Sequence, residues 1–222
     1  MISLKDVSRD YANEFVRTAA VSAVSLQIGQ GEYCAIMGPS GCGKSTLLSI
    51  LGLMDPAFRG NYVLDGLDIG AASPAALRHA RNALVGYVFQ SFNLIDDITV
   101  LDNILLPKQF SPAGMQAEDR AAAVELARRF GIGERLQHLP YQLSGGQQQR
   151  VAIARALICR PKVIFADEPT GNLDSSSTGL IMDIFEEINA GGTTVVVVTH
   201  DPQVARRAGR LIQMGDGKVL ES

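Results

Sequence analysis

The sequence predicts an α/β fold in which a mostly parallel core sheet is flanked by helices. Four short runs are apolar on both faces, as strands buried inside a sheet require, and helical segments lie between them. These runs are residues 33–37, 84–89, 163–166 and 193–199. A glycine-rich segment follows the first run and polar residues follow the other three, at the sheet edge where open α/β folds bind ligands.

Length and composition indicate one globular unit. The chain has 222 residues, enough for a sizeable core with a small attached subdomain, and 46% of them are hydrophobic, which is not typical of disorder. The net charge is about −3 and no basic block stands out, so we expect no nucleic-acid partner.

The cysteines and the apolar runs indicate a soluble chain in a reducing compartment. Cys34, Cys42 and Cys159 are odd in number and unevenly spaced, which fits neither a disulfide framework nor a zinc site. The N-terminal residues MISLKDVSRD lack the apolar stretch of a signal peptide, and runs such as residues 195–198 are too short to span a membrane.

Two further regions complete the predicted architecture. Residues 21–28 alternate apolar and polar side chains, and with residues 2–7 and 61–64 they predict a small antiparallel sheet near the N-terminus. Residues 91–141 include MQAEDRAAAVELARRF and predict a mostly helical subdomain. We expect one domain over residues 1–222, in which residues 1–90 and 142–222 form the core with its antiparallel sheet.

Residues 38–45 read GPSGCGKS and match the phosphate-loop pattern G-x-x-x-x-G-K-[ST] between a predicted strand and the helix STLLSILGL. Its glycines let backbone N–H groups surround phosphate oxygens at a helix N-terminus. Lys44 would reach the β and γ phosphates, and Ser45 would bind Mg²⁺. The residues assigned to this site are Gly38, Pro39, Ser40, Gly41, Cys42, Gly43, Lys44, Ser45 and Thr46.

Polar residues after the other buried strands are candidates for the same site. Asp167 suits a Mg²⁺ contact, and Glu168 beside it suits polarising a water that attacks the γ-phosphate. His200 and Gln90 follow strands that end at the same edge. The alternatives are a helix-capping acidic pair and a structural histidine, and the phosphate loop favours the functional interpretation.

The segment YQLSGGQQQRVAIARAL contains a second candidate anion site. Ser144 and Gln147 form a capping-box pattern at a helix start. Gly145 and Gly146 would each cost about 1 kcal/mol relative to Ala inside a helix, so we expect them to leave N–H groups open to an anion. From spacing alone, no phosphate of the same chain can be placed within reach.

Two classes of function compete at this point: an ATP-hydrolysing motor subunit and a small-molecule kinase. A kinase needs an acceptor pocket and usually a mobile lid that bears arginine. The middle of this chain is instead a predicted helical insert that ends in the glycine pair Gly145 and Gly146, which favours the motor subunit.

The motifs together resemble a known family. GPSGCGKS, VFQ ending at Gln90, LSGGQ, VIFADE, NLD ending at Asp174, and His200 occur in the order and spacing of the nucleotide-binding domain of ATP-binding cassette (ABC) transporters, over nearly the whole chain. The resemblance implies the ABC type of P-loop NTPase fold and an ATPase that uses ATP and Mg²⁺. In that family two domains dimerise head to tail, and each LSGGQ closes over ATP held by the other subunit.

The resemblance also implies roles for the matching residues. Glu168 would be the catalytic base, His200 would hold the γ-phosphate, and Gln90 would contact Mg²⁺ and relay to a permease. Tyr11 resembles the aromatic residue that stacks on adenine, with an ordinary surface tyrosine as the alternative. The residues that would contact the partner subunit or its ATP are Ser144, Gly145, Gly146, Gln147 and Asp174.

Finer features resemble the macrolide-export and lipoprotein-release (MacB/LolD-type) subfamily. They are FQSFNLIDDITVLDNILLP, LGLMDP and ADEPTGNLDSSSTG. The resemblance implies a homodimer that powers an integral membrane permease of the MacB or LolC/LolE type, on the cytoplasmic face of the inner membrane. The alternative is a soluble ABC-family ATPase without a permease, although such proteins usually carry coiled coils, zinc modules or a second cassette.

Overall fold

The computed structural model describes residues 1–12 and 17–221, and only the backbone of residues 12 and 17. The segment RDYANEF around Tyr11 therefore runs beyond the described residues. Within the described ranges, the strands are β1 Ile2–Ala12, β2 Arg17–Ile28, β3 Tyr33–Met37, β4 Arg59–Leu64, β5 Leu67–Asp68, β6 Val85–Val88, β7 Val163–Asp167, β8 Thr194–Val198, β9 Arg210–Gly215 and β10 Lys218–Glu221. The α-helices are α1 Lys44–Leu51, α2 Pro74–Leu84, α3 Val100–Leu105, α4 Ala117–Arg129, α5 Gly145–Leu157, α6 Ser175–Ala190 and α7 Pro202–Ala205.

The central sheet has the strand order β10-β9-β3-β8-β7-β6. The strands from β9 to β6 pair in parallel, and β10 is antiparallel to β9. Val198 at the end of β8 is in register with Ile36 of β3 and with Asp167 of β7. The carboxyl ends of these three strands therefore lie side by side, and the residues that follow them share one edge.

Two apolar cores cover the two faces of the central sheet. Ile164 and Ala166 of β7 pack into a core with helices α3 to α6, whereas Val163 and Phe165 pack into a core with α1 and the antiparallel sheet. Side chains alternate between the two faces of a strand, so burial of both faces explains why β7 is a continuous apolar run.

The second sheet is antiparallel in the order β2-β1-β4-β5. Its inner face includes Val7, Val21 and Tyr62, which are fully buried. The hydroxyl of Tyr62 donates a hydrogen bond of 2.7 Å to the carbonyl oxygen of Leu51 at the end of α1. The antiparallel sheet is thereby tied to the helix that starts at the phosphate loop.

The predicted α/β architecture is confirmed, with differences in extent. The predicted parallel strands 84–89 and 193–199 shorten to β6 and β8 because Leu84 belongs to α2 and strand ends are irregular. The strand predicted at residues 2–7 extends through residue 12 because β1 pairs along its length with β2. Strands β9 and β10 and helix α2 were not predicted, and α6 was expected only as a helical segment between two of the apolar runs. The boundaries of the helical subdomain at residues 91–141 stay a prediction.

Among the described residues, no helix combines the length and the apolarity needed to cross a bilayer.

Candidate functional site

The phosphate loop leaves β3 and enters α1 through glycines in conformations that other residues disfavour. Gly41 and Gly43 have φ angles of 80° and 101°. A Cβ atom on Gly43 would lie 2.0 Å from the carbonyl oxygen of Ala20 in β2. The loop is therefore held against the antiparallel sheet at a position where any side chain would collide.

The start of α1 is open for an anion. Gly43, the residue before the helix, contributes no side-chain cap, whereas side-chain oxygens of Ser73 and Thr99 cap α2 and α3. The first-turn N–H groups of α1 therefore stay available, and the helix dipole favours negative charge there.

Lys44 folds back over its own loop. Its Nζ donates hydrogen bonds of 2.8 Å to the carbonyl oxygen of Gly38 and of 2.9 Å to that of Pro39. The side chain is 8% exposed. A cation is thus positioned beside the open helix start, so the loop offers both N–H groups and a positive charge to phosphate.

Ser45 and Asp167 meet across the loop. The hydroxyl of Ser45 donates a hydrogen bond of 3.2 Å to Oδ1 of Asp167. Burial raises the pKa of Asp167, and the hydrogen bond from Ser45 opposes this shift. A hydroxyl and a carboxylate in contact are oxygen ligands of the kind that a hard cation such as Mg²⁺ takes.

Glu168 and His200 form the adjacent pair. Nδ1 of His200 lies 2.9 Å from Oε1 of Glu168, and the backbone N–H of His200 donates to Oε2 at 3.4 Å. The side chain of Glu168 is 16% exposed and that of His200 is 71% exposed. The carboxylate of Glu168 is therefore held from one side by His200, and the imidazole of His200 faces solvent.

Gln90 lies next to the segment that follows Glu168. A Cβ atom on Gly171 would lie 3.0 Å from Nε2 of Gln90, and Nδ2 of Asn172 donates a hydrogen bond of 3.1 Å to the carbonyl oxygen of Gln90. The structure thus brings the residue after β6 against the loop after β7, as the shared sheet edge predicts.

Arg155, which the sequence did not single out, binds the loop after Gln90. The guanidinium of Arg155 in α5 donates to the carbonyl oxygens of Phe92, at 2.7 Å, and Asn93. Both of these residues have positive φ angles. Burial lowers the pKa of Arg155 to about 10. The signal in the sequence was a lone arginine among apolar helix positions, which does not reveal its partner.

The LSGGQ segment starts α5 as predicted. The hydroxyl of Ser144 accepts from the N–H of Gln147 at 3.3 Å, and Oε1 of Gln147 accepts from the N–H of Ser144 at 3.0 Å. This confirms the capping box. The described contacts of Gly145 and Gly146 lead to Leu173 and Ser177 rather than to the phosphate loop.

Gly146 lies at a close contact between two helices of its own chain. Gly146 is buried, and a Cβ atom on it would lie 2.7 Å from the hydroxyl oxygen of Ser177. Gly146 therefore allows close packing of α5 on α6, and the expectation that both glycines leave N–H groups open to an anion stays a prediction. Gly145 is the more exposed of the two.

Asp174 and Tyr11 are both engaged within the chain. The carboxylate of Asp174 caps α6 by accepting from the N–H of Ser177 at 2.9 Å, and it accepts from the hydroxyls of Ser176 and Ser177. These hydrogen bonds hold the pKa of Asp174 well below its usual range. The guanidinium of Arg9 lies 4.4 Å from the ring centroid of Tyr11, so one ring face is covered.

These features define the class of P-loop nucleotide-binding proteins. A strand, a glycine-rich loop and a helix start lie beside a serine–aspartate pair and a glutamate–histidine pair at one sheet edge. Comparison with known families identifies the branch of this class: residues 21–171 match the family model described as ABC transporter, and the chain belongs to that family.

Relatives of two lengths match this chain. The macrolide export ATP-binding/permease protein MacB of Hyphomonas neptunium is 43% identical over 220 residues, which cover 99% of this chain and 34% of that protein. The ABC transporter ATP-binding protein MJ1508 of Methanocaldococcus jannaschii is 43% identical over 221 residues, which cover 98% of its length. The chain thus spans about a third of the length of the MacB relatives that it matches.

A solved structure matches the whole fold. The ATP-binding cassette MJ0796, in a dimeric post-hydrolysis state bound to ADP and Pi, superposes with a TM-score of 0.92 at 43% identity. The match covers 100% of this chain and 97% of that one. The predicted ABC type of the fold is thereby confirmed.

The burial of the cysteines generates a prediction. Cys42 in the phosphate loop and Cys34 in β3 are buried, and burial raises the pKa of Cys34 to about 12. Relative to an ordinary thiol near 9, the reactive thiolate of Cys34 is about a thousandfold scarcer at pH 8. We expect iodoacetamide to leave Cys34 and Cys42 unlabelled in the native protein at pH 8, as read by peptide mass spectrometry.

Labelling in denaturant is the control, because unfolding exposes all three thiols. Half-buried Cys159 is expected to react ahead of the other two in the native state. Rapid native alkylation of Cys42 would contradict its burial and would make the phosphate loop sensitive to thiol reagents.

Proposed function

We propose that this chain binds and hydrolyses ATP as the nucleotide-binding subunit of a membrane transporter. The observation that carries the proposal is the convergence of the phosphate loop, the Ser45–Asp167 pair and the Glu168–His200 pair on one edge of the parallel sheet. A loop for phosphate, a site for a cation and an oriented carboxylate are the three parts that phosphoryl transfer to water needs.

Each part has a distinct role in the proposed reaction. The N–H groups of the loop and Nζ of Lys44 bind the β and γ phosphates, since the ammonium of Lys44 has a third N–H beside those that donate to Gly38 and Pro39. Ser45, Asp167 and Gln90 would hold Mg²⁺, which neutralises charge on the phosphates when it is bound. Glu168 accepts a proton from the attacking water, and His200 contacts the γ-phosphate.

The proposed active unit is a homodimer with two shared ATP sites. Gly145 and Gly146 lie against α6 and the loop before it, whereas Ser144 is exposed and Gly145 partly exposed, so these two residues can meet a second subunit. The solved cassette of similar fold is dimeric. In this arrangement the start of α5 closes over the ATP in the partner's phosphate loop through Ser144, Gly145, Gly146 and Gln147. Asp174 lies at the dimer interface. Tyr11 stacks on adenine with the ring face that Arg9 leaves open.

The proposed partner is an integral membrane permease, which would hold the chain on the cytoplasmic face of the membrane. A groove of about 710 Å³ lies beside the loop after Gln90, between α2, β6 and α5. Aromatic side chains and Arg155 line it, including Tyr87, Phe89 and Phe110. MacB relatives are ATP-binding/permease proteins of which this chain matches a third. We therefore infer a permease of the MacB or LolC/LolE type, which would bind at the groove, and an export or lipoprotein-release function.

Glu168→Gln tests the catalytic proposal. The amide preserves the shape and the phosphate contacts but cannot take a proton, so we expect ATP affinity within about twofold of wild type and a turnover rate lower by about 100-fold or more. ATP should then trap the dimer, which size-exclusion chromatography with Mg²⁺ and ATP would detect. The exposed Glu187→Gln variant is the control, and wild-type turnover in Glu168→Gln would remove Glu168 from the role of base.

Ser144→Arg tests the shared site. A bulky cation at the start of α5 blocks closure of the dimer, so we expect turnover to be lost while the monomer's ATP affinity changes by less than about twofold. Ser144→Ala is the control, because it removes the same helix cap without the bulk. Loss of affinity in the dilute Ser144→Arg monomer would place Ser144 in its own chain's site and contradict the dimer model.

Phe110→Asp tests the permease groove. Phe110 is 72% exposed at the groove, so a charge there should abolish co-purification of an integral membrane protein from native membranes and leave ATP turnover of the isolated chain unchanged. Leu220→Asp is the matched control, since Leu220 is 70% exposed on β10. Equal recovery of the membrane protein with both variants would contradict docking at this groove, and recovery of soluble partners alone would favour a soluble ABC-family ATPase.

A further inference from the structure

Gln149 is a buried polar residue in the second turn of α5, and it lies just outside the LSGGQ motif. Its side chain has no exposed surface, and its Nε2 donates a hydrogen bond of 2.7 Å to the carbonyl oxygen of Pro169. Pro169 directly follows Glu168 in the chain. One buried amide therefore joins helix α5 to the turn that carries the proposed catalytic base.

The stability of the fold does not explain a glutamine at this position. Among the described residues, no donor lies within hydrogen-bond distance of Oε1 of Gln149, which is buried. A buried polar atom without a partner costs about 1–3 kcal/mol, and one hydrogen bond contributes about 1 kcal/mol. The single hydrogen bond to Pro169 thus does no more than offset the cost of burying the amide.

The turn that Gln149 contacts is strained. Glu168 has a φ angle of 44°, in the left-handed region that residues with a side chain disfavour. Such a conformation persists only where the surroundings hold it. The N–H of Glu168 donates to the carbonyl oxygen of Val198 at 2.9 Å, and the N–H of Gly171 donates to the carbonyl oxygen of Glu168 at 3.0 Å.

The hydrogen bond from Gln149 adds a contact from outside the turn. The carbonyl group of Pro169 lies between the two residues whose backbone groups close the turn, Glu168 and Gly171. This carbonyl belongs to the peptide plane between Pro169 and Thr170, and the ring of Pro169 fixes the φ angle, one of the two dihedral angles that link this plane to the one after Glu168. The hydrogen bond therefore restrains the backbone next to Glu168, and with it the direction of the carboxylate toward His200.

We propose that Gln149 is a positioning residue for Glu168: its buried amide holds the Glu168–Gly171 turn in the strained conformation that aims the carboxylate. The inference rests on the proposed function, because it assigns Glu168 as the base. It also makes the orientation of the Glu168 carboxylate depend on α5, the helix whose start is proposed to contact the other subunit's ATP.

Gln149→Met is the test, with Gln148→Met as the matched control. Gln148 is the adjacent glutamine of the same helix, and its amide donates to Leu143 rather than to the turn. We expect Gln149→Met to lower kcat about tenfold or more, because the rate of the chemical step falls steeply when the catalytic base is displaced. KM for ATP should stay within about twofold of the wild-type value. The thermal midpoint should move by less than about 4 °C, since the lost hydrogen bond and the relieved buried oxygen offset each other.

A double variant separates positioning from general damage. In the Glu168→Gln background the base is already absent, so adding Gln149→Met should change the residual rate by less than about twofold. An equal tenfold loss in both backgrounds, or the same loss in Gln148→Met, would overturn the positioning role.

Hydrogen exchange gives a readout that needs no ATP turnover. The amide of Gly171 closes the turn on Glu168, so its exchange should be at least about tenfold faster in Gln149→Met than in wild type. Unchanged protection of Gly171 would overturn this inference alone. A wild-type chain without ATP turnover would instead overturn the proposed function, and the exchange rate would still decide whether Gln149 holds the turn.

Discussion

The pairing of β8 with both β3 and β7 is the interaction on which the rest of the site depends. Because Val198 is in register with Ile36 and Asp167, three strands end at one level. The phosphate loop, the acidic pair and His200 follow these ends directly, so their contacts need no long loops. The five fully or almost fully buried residues of β8, from Thr194 to Val198, give this strand two apolar faces, which keep it between its neighbours.

The parts of the fold and site that sequence reasoning found are those with a local signal. Continuous apolar runs identified the buried strands, and glycines with lysine and serine at fixed offsets identified the loop. The sequence of α6, SSSTGLIMDIFEEINA, opens with serines and a glycine that weaken its helical pattern, and Asp174 must cap it. Strands β9 and β10 pair with distant or edge partners, and short strands of that kind carry little pattern of their own.

The contacts that couple the site to the helices were beyond sequence reasoning for another reason. Gln149 and Arg155 bind backbone carbonyls 20 and more than 60 residues away, and a carbonyl has no residue type that a sequence could reveal. Gly146 illustrates the same limit. The sequence shows that residue 146 has no side chain. It does not show that the hydroxyl of Ser177, on another helix, leaves no room for one.

The contacts of Lys44 have a consequence for ligand selection. Its ammonium group has three N–H donors, and two of them already donate to carbonyl oxygens of its own loop, so one donor remains for a ligand while these contacts last. Hydrogen bonds to a charged group contribute about 1.5–3 kcal/mol each, so a lone small anion that displaced both carbonyl contacts would have to replace that free energy with few contacts of its own. A polyphosphate can meet the remaining N–H of Lys44 and the N–H groups at the helix start together, so we expect the loop to favour a ligand with many phosphate oxygens over a single small anion.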